Sequence, residues 1–197
     1  MCCLTGAVLM LAGCQSSRSD GAYMYFGGLW GGQLECWRTG SYDASCVEPG
    51  EWETALGPKV ARMASDMKRF DGGISEIDIV DQGGSTLSAG DDTRRFFEGV
   101  WVHKYNGTYY LSYSMGTTHL IVHATGSSPT GPFTYRGLVL PNHNSGWTTH
   151  HSIVEFQGGW YLFYHDAPCS GGVTERRCVK IADLHYNADG TIRTVSL

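Results

Sequence analysis

The sequence predicts an all-β fold, an incomplete β-propeller of about two and a half to three blades. Three observations predict it. Aromatic hairpin strands recur: NGTYYLSY (Asn106–Tyr113) and GGWYLFYH (Gly158–His165) place Gly107 and Gly158 51 residues apart. Short runs of β-forming residues are separated by tight-turn pairs, among them Asn106-Gly107, Gly131-Pro132 and Asp189-Gly190. The composition suits a turn-rich β chain, with 27 Gly, 12% aromatic residues and only 17% charged residues.

The elements follow in order. Residues 1–18, beginning MCCLTGAVLMLAGCQSS, form a leader with no charge before Arg18 and an apolar stretch, Leu4 to Ala12, of signal-peptide size. Leu11-Ala12-Gly13-Cys14 resembles a bacterial lipoprotein signal, although no Lys or Arg precedes the apolar stretch. The expectation is export, with a lipid anchor at Cys14 and a periplasmic or outer-membrane-anchored location; an accidental apolar leader is the other reading.

The domain spans 19–197. Residues 20–80 read as most of one blade, opened by the weaker hairpin copy SDGAYMYFGG and interrupted by a loop from about Leu29 to Leu56. Val60 to Arg69 passes for a short helix by itself, and the blade reading makes it a strand with a turn. Residues 98–140 and 149–197 read as complete four-stranded blades, with FTYRGLVL and GTIRTVSL as their fourth strands. A ring this short cannot close and leaves sheet faces without partners, so self-association through them is expected.

Several function classes are excluded. A net charge of −5 with no block of like charge is unsuited to nucleic acid. No apolar run reaches 18 residues, so no spanning helix is expected. Glycine runs such as GGLWGGQ lack a strand–helix context and give no nucleotide loop. Asn106-Gly107-Thr108 is read as a turn, not as a glycosylation site. If Cys14 is lipidated, Cys36, Cys46, Cys169 and Cys178 remain in the domain. They allow three pairings, of which the two local ones are the simplest. Their spacing does not suit zinc.

The segments DGAYMYFGGLWGGQL, GPKVARMASDM, RRFFEGVWVHKYNGTYYLSYS, ATGSSPTGPFTYRG and GWTTHHSIVEFQGGWYLFYHD, taken in this order, resemble glycoside hydrolase family 43 over about residues 19–197. The resemblance implies a five-bladed β-propeller with its active site at one mouth of the central channel. It also implies inverting hydrolysis of xylose- or arabinose-containing saccharides by three acidic residues: a base Asp, a pKa-tuning Asp and a Glu general acid.

Glu98 matches the acid. It lies between Phe96, Phe97 and Trp101, and an aromatic wall would raise its pKa by desolvating the charged form. A carboxyl kept neutral near pH 7 can protonate a leaving-group oxygen. The Asp-Pro segment that carries the tuning Asp in the family is missing, since LMLAGCQSSRS stands in its place, and Asp20 belongs to the turn before the strand. The chain is therefore expected to lack both further carboxylates, as a truncated enzyme. The alternative is a non-catalytic remnant or a carbohydrate-binding propeller fragment.

Other positions carry over by the same resemblance. His150 aligns with a histidine near the propeller axis that can meet a structural calcium ion; no cofactor is required, and a hydrogen-bonded core histidine is the competing reading. Arg177 matches an arginine that reaches the sugar hydroxyls, against a surface salt bridge, and strand alternation would set Arg176 on the opposite face. Trp30, in a glycine-rich loop, offers a platform for a sugar ring, against packing on its own blade. Thr118 and His119, with Thr117, match a substrate-flanking loop. His165 is expected to pack within its blade.

Overall fold

The computed structural model describes residues 21–27, 36, 41–116, 120–141 and 149–196. Cys14, Trp30, Thr118 and His119 lie outside these residues, as does the whole 1–18 leader.

The described residues form eleven strands in three sheets. The first sheet holds β1 (Tyr23–Phe26), β2 (Lys59–Met63) and β3 (Phe70–Glu76), in that order. The stretch with helix-like spacing is thus β2 and the turn after it. The second sheet has five strands, in the order β4 (Ile79–Val80), β8 (Phe133–Leu140), β7 (Ile121–Gly126), β6 (Thr108–Met115), β5 (Phe96–Tyr105). The third has three, β11 (Cys178–Leu184), β10 (Gly159–Asp166) and β9 (His151–Phe156). A single 3-10 turn, Pro168–Ser170, lies between β10 and β11. Cys36 is joined to Cys46 and Cys169 to Cys178, the two local pairings.

The hairpin turns are made as the sequence suggests. Asn106 (φ 46°) and Gly107 (φ 82°) are both left-handed, as are Gln157 (φ 51°) and Gly158 (φ 80°). This is the turn geometry whose twist matches antiparallel strands.

The middle sheet is covered on both faces, and β6 shows it residue by residue. Leu111, Tyr113 and Met115 enter a core shared with the first sheet, beside Val60, Ile77, Phe96 and Phe133. Tyr110 enters a second core shared with the third sheet, beside Trp101, Ile153, Leu162 and Leu184. Burial on alternate sides makes β6 continuously buried from Tyr110 onward, where a one-sided sheet would alternate. Strand β5 touches both β1 and β9, so the three sheets stand side by side as blades of a partial propeller.

Two expectations are corrected. The 149–197 blade has three strands, not four. GTIRTVSL first turns back along the residues just past β11, where Ile192 bridges Tyr186 and the Arg193 N–H donates to the His185 carbonyl (2.8 Å), and then runs along the edge of the middle sheet, where the Val195 N–H donates to the Val139 carbonyl (2.8 Å) and the Thr194 hydroxyl to the Leu138 carbonyl (3.1 Å). Ile192 and Val195 are buried in the second core. The 98–140 blade gains a strand that sequence reading missed: β4 pairs parallel with β8, Ile79 opposite Phe133. Two residues carry too little pattern to be read as a strand.

Candidate active site

The functional residues meet at one end of the second and third sheets. Because neighbouring strands are antiparallel, the start of β5, the end of β6, the start of β9, the end of β10 and the start of β11 share that end. Glu98 comes from the first of these, Ser114 from the second, Thr149 and His150 from the residues before β9, His165 from the fourth and Arg177 from the residue before β11.

Two β-bulges aim Glu98. Residues directly opposite in an antiparallel pair put their side chains on the same face. Phe96 opposes Met115, Glu98 opposes Ser114 and Trp101 opposes Ser112, with a register shift in each interval. Phe96 therefore faces the first core, while Glu98 and Trp101 face the third sheet although they are three residues apart. Unbroken alternation would have buried Glu98 beside Phe96. Gly99, at φ 69°, adopts the left-handed conformation inside the second irregularity. A Cβ built there would stand 3.4 Å from the Thr149 carbonyl oxygen and 3.6 Å from the His150 ring. Gly99→Ala meets no hard clash but forces an L-residue into left-handed backbone. It is expected to cost about 1–2 kcal/mol, read as a lower thermal midpoint; an unchanged midpoint would show that the bulge does not need glycine.

A ladder of hydrogen bonds joins the two sheets behind Glu98. The hydroxyls of Ser114 and Thr149 are 2.6 Å apart, Ser112 Oγ is 2.6 Å from His151 Nε2, and Trp101 Nε1 donates to the Ile153 carbonyl at 2.9 Å. Ser112, Ser114, Thr149 and His151 are all buried. These residues, missed as site supports, left one trace in the sequence: Ser112 and Ser114 are small polar residues two apart in an otherwise aromatic strand, hence on one face.

Glu98 is half-buried, and its Oε1 is buried with no hydrogen-bond partner. Burial pushes its carboxyl above the ordinary value, and the positive charge of Arg177 holds part of that rise back. Of the aromatics around it in sequence, Phe96 turns away into the first core, while Trp101 shares the face of Glu98 and packs in the second core, where the two sheets meet. His150 lies against Gly99, and its ring centroid is 6.4 Å from that of His165. Burial and the Arg177 charge both lower the His150 pKa, which favours the neutral imidazole. His165 thus sits at the mouth beside His150, not merely within its own blade.

Arg177 and Arg176 are both exposed, and both precede β11, so strand alternation does not separate them. Among the described residues, no group of three His, Cys, Asp or Glu could hold a metal ion.

The arrangement is a carboxyl biased by burial toward its neutral, proton-donating form, within electrostatic reach of Arg177, at the sheet end that also carries His150 and His165. Such a group can protonate a departing oxygen, while the guanidinium and imidazoles can hydrogen-bond sugar hydroxyls.

Comparison with known proteins identifies similar chains. The model of the glycosyl hydrolases family 43 matches residues 59–192. A "Xylosidase/arabinosidase" of Bacteroides ovatus is 51% identical over 173 residues, 88% of this chain and 53% of that protein. A "Beta-xylosidase" of Xylanibacter ruminicola is 49% identical over 183 residues, 92% of this chain and 57% of that one. Among solved structures, a GH43 β-xylosidase/α-arabinofuranosidase from a compost microbial metagenome, in complex with xylotriose and described as a calcium-free form, superposes with a TM-score of 0.83. It shows 56% identity and covers 88% of this chain and 53% of that one. A GH43_1 enzyme from Xanthomonas citri complexed with xylotriose gives a TM-score of 0.84 at 53% identity, covering 88% and 52%. The chain spans about half the length of the curated relatives it matches.

Proposed function

Since the chain belongs to the glycosyl hydrolases family 43, we propose that its function is hydrolysis of xylose- or arabinose-containing oligosaccharides, with Glu98 as general acid. One observation carries the reading: a half-buried carboxyl with an unpartnered oxygen, its pKa raised by burial, facing the junction of two blades. In this mechanism the Glu98 proton moves to the glycosidic oxygen as the bond to the anomeric carbon breaks. Arg177 binds sugar hydroxyls and limits how far the Glu98 pKa rises. His150 and His165, at the same mouth, hydrogen-bond the sugar. Trp30, Thr118 and His119 are proposed as further substrate contacts on the family resemblance alone.

A calcium ion near the axis is expected from the resemblance. The described residues do not fit one by themselves: His150 offers a single neutral nitrogen, whereas calcium takes roughly six to eight oxygen ligands. No step is routed through a metal.

The test is hydrolysis of aryl β-D-xyloside and aryl α-L-arabinofuranoside by the purified chain, with the anomer of the released sugar followed by NMR. Turnover with inversion supports the reading, and the preferred substrate sets the specificity. A second reading, sugar binding without turnover, is favoured by the charge that acts on Glu98 among the described residues being Arg177 and not a carboxylate. An inverting enzyme sets two carboxyl groups roughly 6.5–9.5 Å apart. Binding of xylotriose by a folded chain that hydrolyses neither glycoside would select it.

A further inference from the structure

Hydrogen bonds join the second sheet to the third at two-residue steps: Ser114 to Thr149, Ser112 to His151, and Trp101 to the Ile153 carbonyl. The first differs from the others in its place. His151 and Ile153 belong to β9, where they oppose Tyr164 and Leu162 of β10. Thr149 stands two residues before β9, beyond the last of those pairs. It is buried all the same, as is Ser114, so the two hydroxyls meet at 2.6 Å away from solvent.

That meeting adjoins Glu98 on two sides. Ser114 is directly opposite Glu98 in the β5–β6 pairing, so the two side chains are neighbours on one face. Gly99, the residue after Glu98, meets the backbone of the same segment: a Cβ there would be 3.4 Å from the Thr149 carbonyl oxygen and 3.6 Å from the His150 ring. Residues 149–150 therefore lie against the bulge that carries Glu98, whose Oε1 is buried with no hydrogen-bond partner.

We propose that Thr149 is a positioning residue for Glu98: bonded to Ser114, its hydroxyl holds the 149–150 segment against the Glu98 bulge and keeps water from Oε1. The proposal rests on the reading of Glu98 as the general acid. The physical reason is the group that loss of the bond would strand. Without the Thr149 hydroxyl, the buried Ser114 Oγ loses that partner, and a stranded polar group draws in water or forces the packing to open. Either change brings water to the face that Glu98 shares. A hydrated carboxyl ionises at lower pH and no longer donates a proton near neutrality. The titratable and charged groups of the third sheet at this end are His150 before β9, His165 and Asp166 on β10, and Arg177 before β11. Before β5, Arg94 and Arg95 pair with Asp91 and Asp92. All of these stay in place in the variants below.

The experiment follows the Glu98 side-chain carboxyl by 13C NMR through a pH titration of the intact chain, and needs no substrate. Thr149→Val keeps the shape of the side chain and removes the hydroxyl. It is expected to lower the Glu98 midpoint by about half a pH unit or more, toward the ordinary value of about 4.3. Thr149→Ser, which keeps a hydroxyl, should retain the parent midpoint. Ser114→Ala should lower it as Thr149→Val does, and the two together should lower it no further, since both remove one contact. Ser112→Ala removes the next bond, to His151 within β9, and should cost stability without moving the midpoint. A midpoint unmoved by Thr149→Val and Ser114→Ala overturns the proposal. So does an equal fall in Ser112→Ala, which would show a general loosening between the sheets. If Thr149→Val does not fold, Ser114→Ala carries the same test. Unfolding of both, seen by circular dichroism, also overturns the proposal, since the pair would then hold the sheets and not the acid. Failure to hydrolyse glycosides would sink the functional reading and leave these titration results standing.

Discussion

Glu98→Gln is expected to lower turnover of an aryl glycoside about a hundredfold or more with the fold retained. Glutamine keeps the shape of the side chain and removes the transferable proton. The variant also separates a catalytic carboxyl from a decorative one through its stability. Burial raises the Glu98 pKa, so the folded chain binds this proton more tightly than the unfolded chain. That favourable term is complete below the ordinary carboxyl pKa and is lost as pH rises through the raised value. Above that raised value the ionised side chain is a burden on the fold, with Oε1 buried and unpartnered. A neutral amide relieves part of it. The expected pair of results is a large loss of rate with a urea midpoint equal to or above that of the parent at pH 7.5. If the variant retains the parent rate, Glu98 is not the acid; if it unfolds, the carboxylate is structural.

Mild acid is expected to destabilise the chain by several kcal/mol before most carboxylates are protonated. Three histidines are buried in neutral form, with pKa values lowered to about 3 for His103, about 4 for His123 and about 3 for His151, in each case chiefly by burial. Geometry fixes the neutral state of His123. Its Nε2 accepts the Ile192 N–H at 3.1 Å, which leaves Nδ1 to donate to the Gly137 carbonyl, also at 3.1 Å. A second proton would break the Ile192 bond and free the strap that closes the second core. His103 stacks on Tyr110 and lies 2.7 Å from the Tyr186 hydroxyl, and His151 bonds Ser112; both have a buried Nδ1 with no hydrogen-bond partner.

Because the folded pKa values are depressed, the stability these groups contribute is full above about pH 6.5, where unfolded histidine is also neutral. It is lost as pH falls toward 4, while only the unfolded chain takes up protons. By pH 5 each contributes a loss of about 2 kcal/mol, so about 6 kcal/mol together, comparable to the whole stability of a typical domain. Urea midpoints at pH 7.5 and 5.0 measure the loss. Imidazole NMR signals should show these three histidines still neutral at pH 5 in the folded chain. Titration near 6.5 by any of them would remove its share.

Much of this was legible in the chain and some of it could not be. Asn106-Gly107 and Gln157-Gly158 specify their hairpins because left-handed turn residues and flanking aromatic strands act within a few residues. The repeat of those hairpins determined the all-β blade architecture, and the ordered segments that resemble the family, the one around Glu98 among them, determined the family. The partner of β4 and the destination of GTIRTVSL were not legible, because both depend on which exposed edge lies nearby once the sheets have packed.

The direction of Glu98 is the sharpest case. Period-two reading sets it on the face of Phe96; two bulges, one of them containing Gly99, turn it to the face of Trp101. The same holds for its surroundings. An aromatic wall was inferred from neighbours in sequence; Phe96 turns away into the first core, whereas Trp101 shares the face of Glu98. Adjacent side chains in a strand point apart, so local sequence singles out the candidate acid but not its surroundings. Only the meeting of two sheets decides how dry that residue is and that the charge of Arg177, nearly eighty positions away, acts on it.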